Sequence, residues 1–101
     1  MGLFSKKKIE ENEETRQLNQ LLNMALEMNQ ETGTWHELPT DIPIDIQTLI
    51  INARKMIFEY IRQLKEAKFY SNSAVHQFAN ETYPWVNKDN ILKCIGLGQY
   101  L

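Results

Sequence analysis

The amino-acid sequence predicts an all-α protein, a small four-helix bundle with two long helices followed by two short ones. Apolar residues recur at spacings of three and four along most of the chain, the period of a helix with one buried face. No stretch shows a convincing alternation of apolar and polar residues. Only three prolines and four glycines interrupt 101 residues, and most fall at plausible boundaries.

The first helix is expected over residues 9 to about 31. Glu10, Glu11, Glu13 and Glu14 lie in its opening turns, where carboxylates favour the positive end of the helix dipole. Its apolar set, Leu18, Leu21, Leu22, Ala25, Leu26 and Met28, begins only at Leu18. The turns from Ile9 to Gln17 therefore have little to bury. Gly33 suits the end of this helix because glycine tolerates positive φ.

Residues 34–45, TWHELPTDIPID, read as a loop. Pro39 and Pro43 push the residues before them into extended conformations. Trp35, Leu38, Ile42 and Ile44 are too apolar for a freely solvated linker, so the loop is expected to tuck them against the bundle.

The second helix, from Ile46 to about Phe69 with Asp45 as its N-cap, is the spine. Ile46, Ile50, Ala53, Ile57, Tyr60 or Ile61, Leu64 and Ala67 follow helical steps. Leu49, Ile51, Met56 and Phe58 widen the apolar surface beyond one seam, so this helix meets neighbours on more than one side. Each large aliphatic it buries contributes about 1.5–3 kcal/mol.

Ser71, Asn72 and Ser73 offer caps for a short third helix with Ala74, Val75, Phe78, Ala79 and Thr82 facing inward. Pro84 ends it. Asn87 caps a fourth helix whose buried set is Ile91, Leu92, Cys94, Ile95 and Leu97. Gly96 and Gly98 each cost about 1 kcal/mol relative to alanine inside a helix. Either the helix ends near Ile95 or it crosses a neighbour too closely for a side chain. The apolar tail Gln99-Tyr100-Leu101 is expected to dock or to pair between subunits.

The chain forms one domain over residues 9–101, after a flexible start at 1–8. A chain of this size buries about two thirds of its unfolded surface, enough for a modest core without metals or disulfides. No apolar run approaches the roughly 20 residues that span a bilayer. No secretory signal is read at the start, and a single cysteine cannot form an internal disulfide, so a cytoplasmic setting is expected. Asn80-Glu81-Thr82 has the form of a glycosylation acceptor, a coincidence without export.

Net charge is −2, unevenly spread: four bases against nine acids in residues 1–45 give −5, and seven against four in 46–101 give +3. An acidic first half packing beside a basic second half accounts for this. A nucleic-acid binder would more often be basic throughout.

Candidate sites follow from particular residues. The opening MGLFSKKK lacks the Ser or Thr at position six that myristoylation needs, and the glutamates after its lysines repel anionic lipid. No membrane association is expected. Cys94 and His76 are the only nucleophile–base pair, but Cys94 falls among apolar neighbours, where a thiol is inert. His36, Glu37, Asp41 and Asp45 are metal-type ligands without a metal-binding spacing, so no metal and no cofactor are expected. The last two helices have the outline of a helix-turn-helix, yet the second offers only Lys88 and Lys93. Arg54, Lys55, Arg62, Lys65 and Lys68 make the second helix more basic, interrupted by Glu59 and Glu66 at pairing distances. Trp35 with His36, and Tyr83 with Trp85, sit in turns beside prolines. Such aromatics are lids on a small core or anchors for a partner, and the lid is the default.

The function expected is that of a small non-enzymatic interaction or regulatory protein acting through a helical surface, with Trp35, His36, Tyr83 and Trp85 as partner-binding residues. A protein partner is expected, and a second copy can complete the core as a homodimer. The alternatives are a thiol- or histidine-dependent enzyme using Cys94 and His76, or a weak nucleic-acid binder using the basic face of the second helix.

Overall fold

A computed structural model describes residues 12–29 and 31–99. The flexible start expected at 1–8, the first residues of the expected first helix (Ile9 to Glu11) and the docking tail at Tyr100 and Leu101 lie outside the described residues.

The first helix, α1, spans Glu13–Ala25. Asn12 caps it, its Oδ1 accepting the Thr15 N–H at 2.7 Å, and Glu13 and Glu14 occupy the first turn. The chain leaves the helix at Leu26, well short of the expected residue 31. It then forms a small hairpin, which the sequence reading did not foresee. Strand β1 (Met28–Asn29) pairs antiparallel with β2 (Thr34–Trp35), with Met28 opposite Trp35. Asn29 Oδ1 accepts the N–H groups of Glu31 and Thr32, at 2.9 and 3.3 Å. An asparagine that satisfies the backbone locally competes with helix continuation. Gly33 does use its tolerance of positive φ (71°), but in the hairpin turn rather than at a helix end.

The second helix, α2, runs Ile44–Ala67, starting two residues earlier than expected. Asp45 is not the N-cap. Pro43 holds that position without a side-chain bond, and Asp45 sits in the first turn, accepting the Ile46 N–H at 3.0 Å. Proline suits the entry because its φ is already fixed and it has no N–H to satisfy. Lys68 ends the helix in the left-handed region at φ 63°, and the Phe69 N–H returns to the Leu64 carbonyl at 2.9 Å.

Helix α3 spans Asn72–Thr82 and helix α4 Lys88–Gly98. Of the three candidate caps for α3 Ser71 is used, its Oγ accepting the Ala74 N–H at 3.1 Å, and α4 has the expected cap, Asn87 Oδ1 accepting the Asn90 N–H at 2.9 Å. Helix α4 does not stop near Ile95. A β-carbon at Gly98 would lie 3.0 Å from Ile61 Cγ2, so this glycine marks a close crossing of α4 on α2. Gly96 meets nothing within 4 Å.

Helix α2 is the spine, packing against each of the other three helices, while α4 also touches α1 and α3. Ile50, Ala53, Ile57 and Ile61 are fully buried, and Leu22, Leu26, Val75, Ala79, Ile91 and Cys94 close around them. Several residues expected inside are not. Leu92 is 46% exposed, because Ile91, Cys94, Ile95 and Gly98 share the inner face and Leu92 is rotated away from it. Thr82, Ala67 and Met28 are exposed, as are Ile51 and Met56. In the loop before α2, Trp35, Leu38 and Ile42 are half-buried as expected, but Ile44 is 74% exposed. Among the described residues, no helix is long and apolar enough to cross a membrane.

Candidate functional site

Trp35 is placed by the hairpin, which carries it from the end of α1 onto the outward side of α2. Its ring lies on Phe58, centroids 5.4 Å apart and tilted by 31°. The Arg54 guanidinium sits 4.6 Å from the Trp35 ring centroid, a cation–π contact. Arg54 also donates from Nη1 to the Ala25 carbonyl at 2.8 Å. One side chain thus closes the open end of α1 and fixes the hairpin aromatic. Burial pulls its pKa below the ordinary arginine value.

Two shallow grooves flank this cluster. One, of about 390 Å³, lies between the loop and α2, lined by Trp35, His36, Leu38, Gln47, Ile51 and Arg54 among others. The other, of about 340 Å³, continues along α2 past Ile51, Lys55 and Phe58 to Glu59 and Arg62. His36 is exposed, and its backbone N–H donates to the Glu27 carbonyl at 2.9 Å, extending the hairpin pairing.

Tyr83 and Trp85 lie elsewhere. Tyr83 meets Phe78 edge-on at 6.5 Å, and Phe78 stacks on Tyr60 at 4.3 Å. The Trp85 ring packs half-buried on the core, and its carbonyl accepts from Asn19 Nδ2 at 2.8 Å. The four expected partner residues therefore fall into two groups that share no contact residue in these interactions: Trp35 with His36 on the outward side of α2, and Tyr83 with Trp85 at the α3–α4 turn.

Arg54, Arg62 and Lys65 of α2 have partners within the chain. Arg62 is shared between Glu59 and Glu66, which holds the Glu59 carboxyl below the usual range and raises the arginine. Lys65 Nζ donates to the Gly98 carbonyl at 2.9 Å. On α4, Lys93 pairs with Glu27 and reaches Asn23. This contact joins the acidic first half of the chain to the basic second half. Among the described residues, the Arg16–Glu13 pair and those of Arg62 lie within single helices.

Cys94 is fully buried, and burial pushes its thiol up to about 12, so it is protonated at neutral pH. A nucleophilic cysteine needs the reverse, a thiolate within reach of solvent. Among the described residues, no three His, Cys, Asp or Glu side chains gather as a metal site.

A polar cluster between α1 and α4 was missed at the level of sequence. Asn19 and Asn90 are 4% and 2% exposed. Asn19 Oδ1 accepts from the Asn87 N–H at 2.8 Å and from Asn90 Nδ2 at 3.0 Å, and Asn19 Nδ2 donates to the Trp85 and Thr15 carbonyls. Every bond holds the fold together, and among the described residues no buried side-chain polar atom lacks a partner. The only hint was an asparagine beside the apolar stripe of each helix. Comparison with protein-family models, with curated proteins and with solved structures finds no match to this chain.

Proposed function

We propose that this chain is a small non-enzymatic interaction protein, an accessory or regulatory subunit that works through the outward side of α2. The observation that carries the reading is the Trp35 cluster. A half-buried tryptophan, an arginine stacked on it and a 40% exposed isoleucine, Ile51, share one surface. Tryptophan and arginine are the residue types that dominate binding energy where proteins meet. A core lid needs no such exposed apolar neighbour. A cytoplasmic setting goes with this reading, since the single cysteine has no second one to pair with.

The test is capture of protein from the native cell by wild type, Trp35→Ala and Trp85→Ala. Trp35→Ala is expected to lose capture while its far-UV circular dichroism stays helical. Trp85→Ala, which removes a ring packed on the core, is expected to lower thermal stability first. Collapse of the helical signal in Trp35→Ala would show that this ring is a structural lid and would remove the reading.

A further inference from the structure

The identity of the molecule that meets this surface follows from two patterns along α2 and the loop that leads into it, and the inference rests on the interaction reading above. The first pattern is apolar. Ile44, Ile51 and Phe58 are spaced by seven, so they line one stripe of the helix, about 10 Å from one to the next. This stripe is separate from the buried face of Ile50, Ala53, Ile57 and Ile61. Ile44 and Ile51 are exposed, and Phe58 is half-buried beneath Trp35.

The second pattern is charge. Residues 34–53 hold Glu37, Asp41 and Asp45 and neither lysine nor arginine, a balance of −3. Residues 54–68 hold Arg54, Lys55, Arg62, Lys65 and Lys68 against Glu59 and Glu66, a balance of +3. The two balances are equal and opposite, and they meet at the middle of the stripe. An acidic peptide would match only the second half of this surface, and a basic one only the first. A parallel copy would set like charge on like. An antiparallel copy carries the same stripe with the charges in reverse order, as a twofold interface requires.

We propose that the outward face of α2 pairs antiparallel with the same face of a second copy of this chain, about a twofold axis at Ile51. Ile51 then meets its own counterpart, and Ile44 meets the second copy's Phe58, because both lie seven residues from the axis. Asp41 and Asp45 come alongside the second copy's Lys55 and alongside its Arg62, which also keeps Glu59 and Glu66 of its own helix. Trp35 flanks the seam and is covered by it.

Sedimentation and light scattering on the full chain test this. Wild type is expected at twice the 11.9 kDa of one chain at high protein concentration. Ile51→Asp, at an exposed position that the core does not use, is expected to return it to a single-chain mass with unchanged helicity. Asp41→Lys with Asp45→Lys, and Lys55→Glu with Arg62→Glu, are each expected to weaken pairing by roughly tenfold or more on their own. An equimolar mixture of these two double variants restores every opposite-charge contact and is expected to regain the doubled mass. A wild type that stays at single-chain mass at every concentration overturns the proposal. So does an Ile51→Asp protein that still pairs, or a mixture of folded double variants that does not recover. Should a double variant lose its helical signal, the wild-type and Ile51→Asp masses still decide the matter. A monomer that nonetheless captures a different protein through Trp35 removes only the second copy and leaves the interaction reading standing. Loss of both removes both.

Discussion

Asn19 offers a sharp test of what holds α1 onto the bundle. It stands on the inner side of α1 at 4% exposure, where pattern alone would favour leucine. Replacing it by alanine deletes four hydrogen bonds. Asn90 Nδ2 keeps the Asn19 backbone carbonyl at 3.0 Å, so it is not orphaned. The Trp85 carbonyl and the Asn87 N–H lose their Asn19 partners. Each buried group left without a partner costs about 1–3 kcal/mol. Water reaching the cleft beside Asn87 offsets part of this, as does the better helix propensity of alanine, worth about 0.5 kcal/mol. The net loss is about 2–3 kcal/mol, which for a domain of this size lowers Tm by roughly 10–20 °C. Urea unfolding followed by circular dichroism measures the loss, and hydrogen exchange at the Asn87 amide locates it. Asn19→Leu separates the competing accounts. If the network matters, leucine destabilises despite its added apolar area. A leucine variant as stable as wild type, or more so, would refute the reasoning.

The two glycines of α4 are expected to respond in opposite directions. Gly96→Ala places a methyl in open space and gains about 0.5–1 kcal/mol of helix stability. Gly98→Ala drives its methyl against the buried Ile61, 3.0 Å away, and is expected to lose about 1 kcal/mol or more by overpacking, both read from denaturant midpoints. For Cys94, the folded thiol titrates near 12 against an ordinary value of 9.0, so the folded state holds its proton more tightly than the unfolded state. Its contribution is complete below pH 9 and is lost as pH rises towards 12, at up to about 1.4 kcal/mol per pH unit. Cys94→Ala is expected to flatten that part of the stability-versus-pH curve, and a thiol reagent should label wild type at neutral pH only after denaturant is added. Rapid labelling of the native protein would contradict the burial.

The helices were legible wherever the information was local. Ser71 and Asn87 cap α3 and α4 because each side chain bonds an amide three residues away, within its own peptide segment. Ile50, Ala53 and Ile57 declare the inner face of α2 by spacing alone, while the choice between Tyr60 and Ile61 for its next step is made by the packing, which buries Ile61. The hairpin was hidden because Leu26 and Met28 continue the helical period past the point where the backbone turns, and two-residue strands are too short to show alternation. Asn19 and Asn90 were hidden for another reason: a polar residue is worth burying only when its partners are known, and these lie 66 to 71 positions away in the chain. At the candidate surface Trp35 stood out at once. Ile51 and Phe58 did not, because a wide apolar helix reads as a helix covered on several sides. Which side is covered depends on where α1, α3 and α4 dock.

The asparagine cluster also sets an order of events in time. Helix α1 leaves the ribosome before the groups outside it that answer Asn19, which belong to residues 85 to 90. Closing so large a loop is entropically costly and comes late. The growing chain can settle α1, α2 and α3 together through their apolar faces while the Asn19 side chain stays hydrated. Of the four helices α1 is made first, yet its polar seam is among the last contacts to be locked, and a chain cut short before Trp85 leaves Asn19 without any of its partners on the far side of that seam.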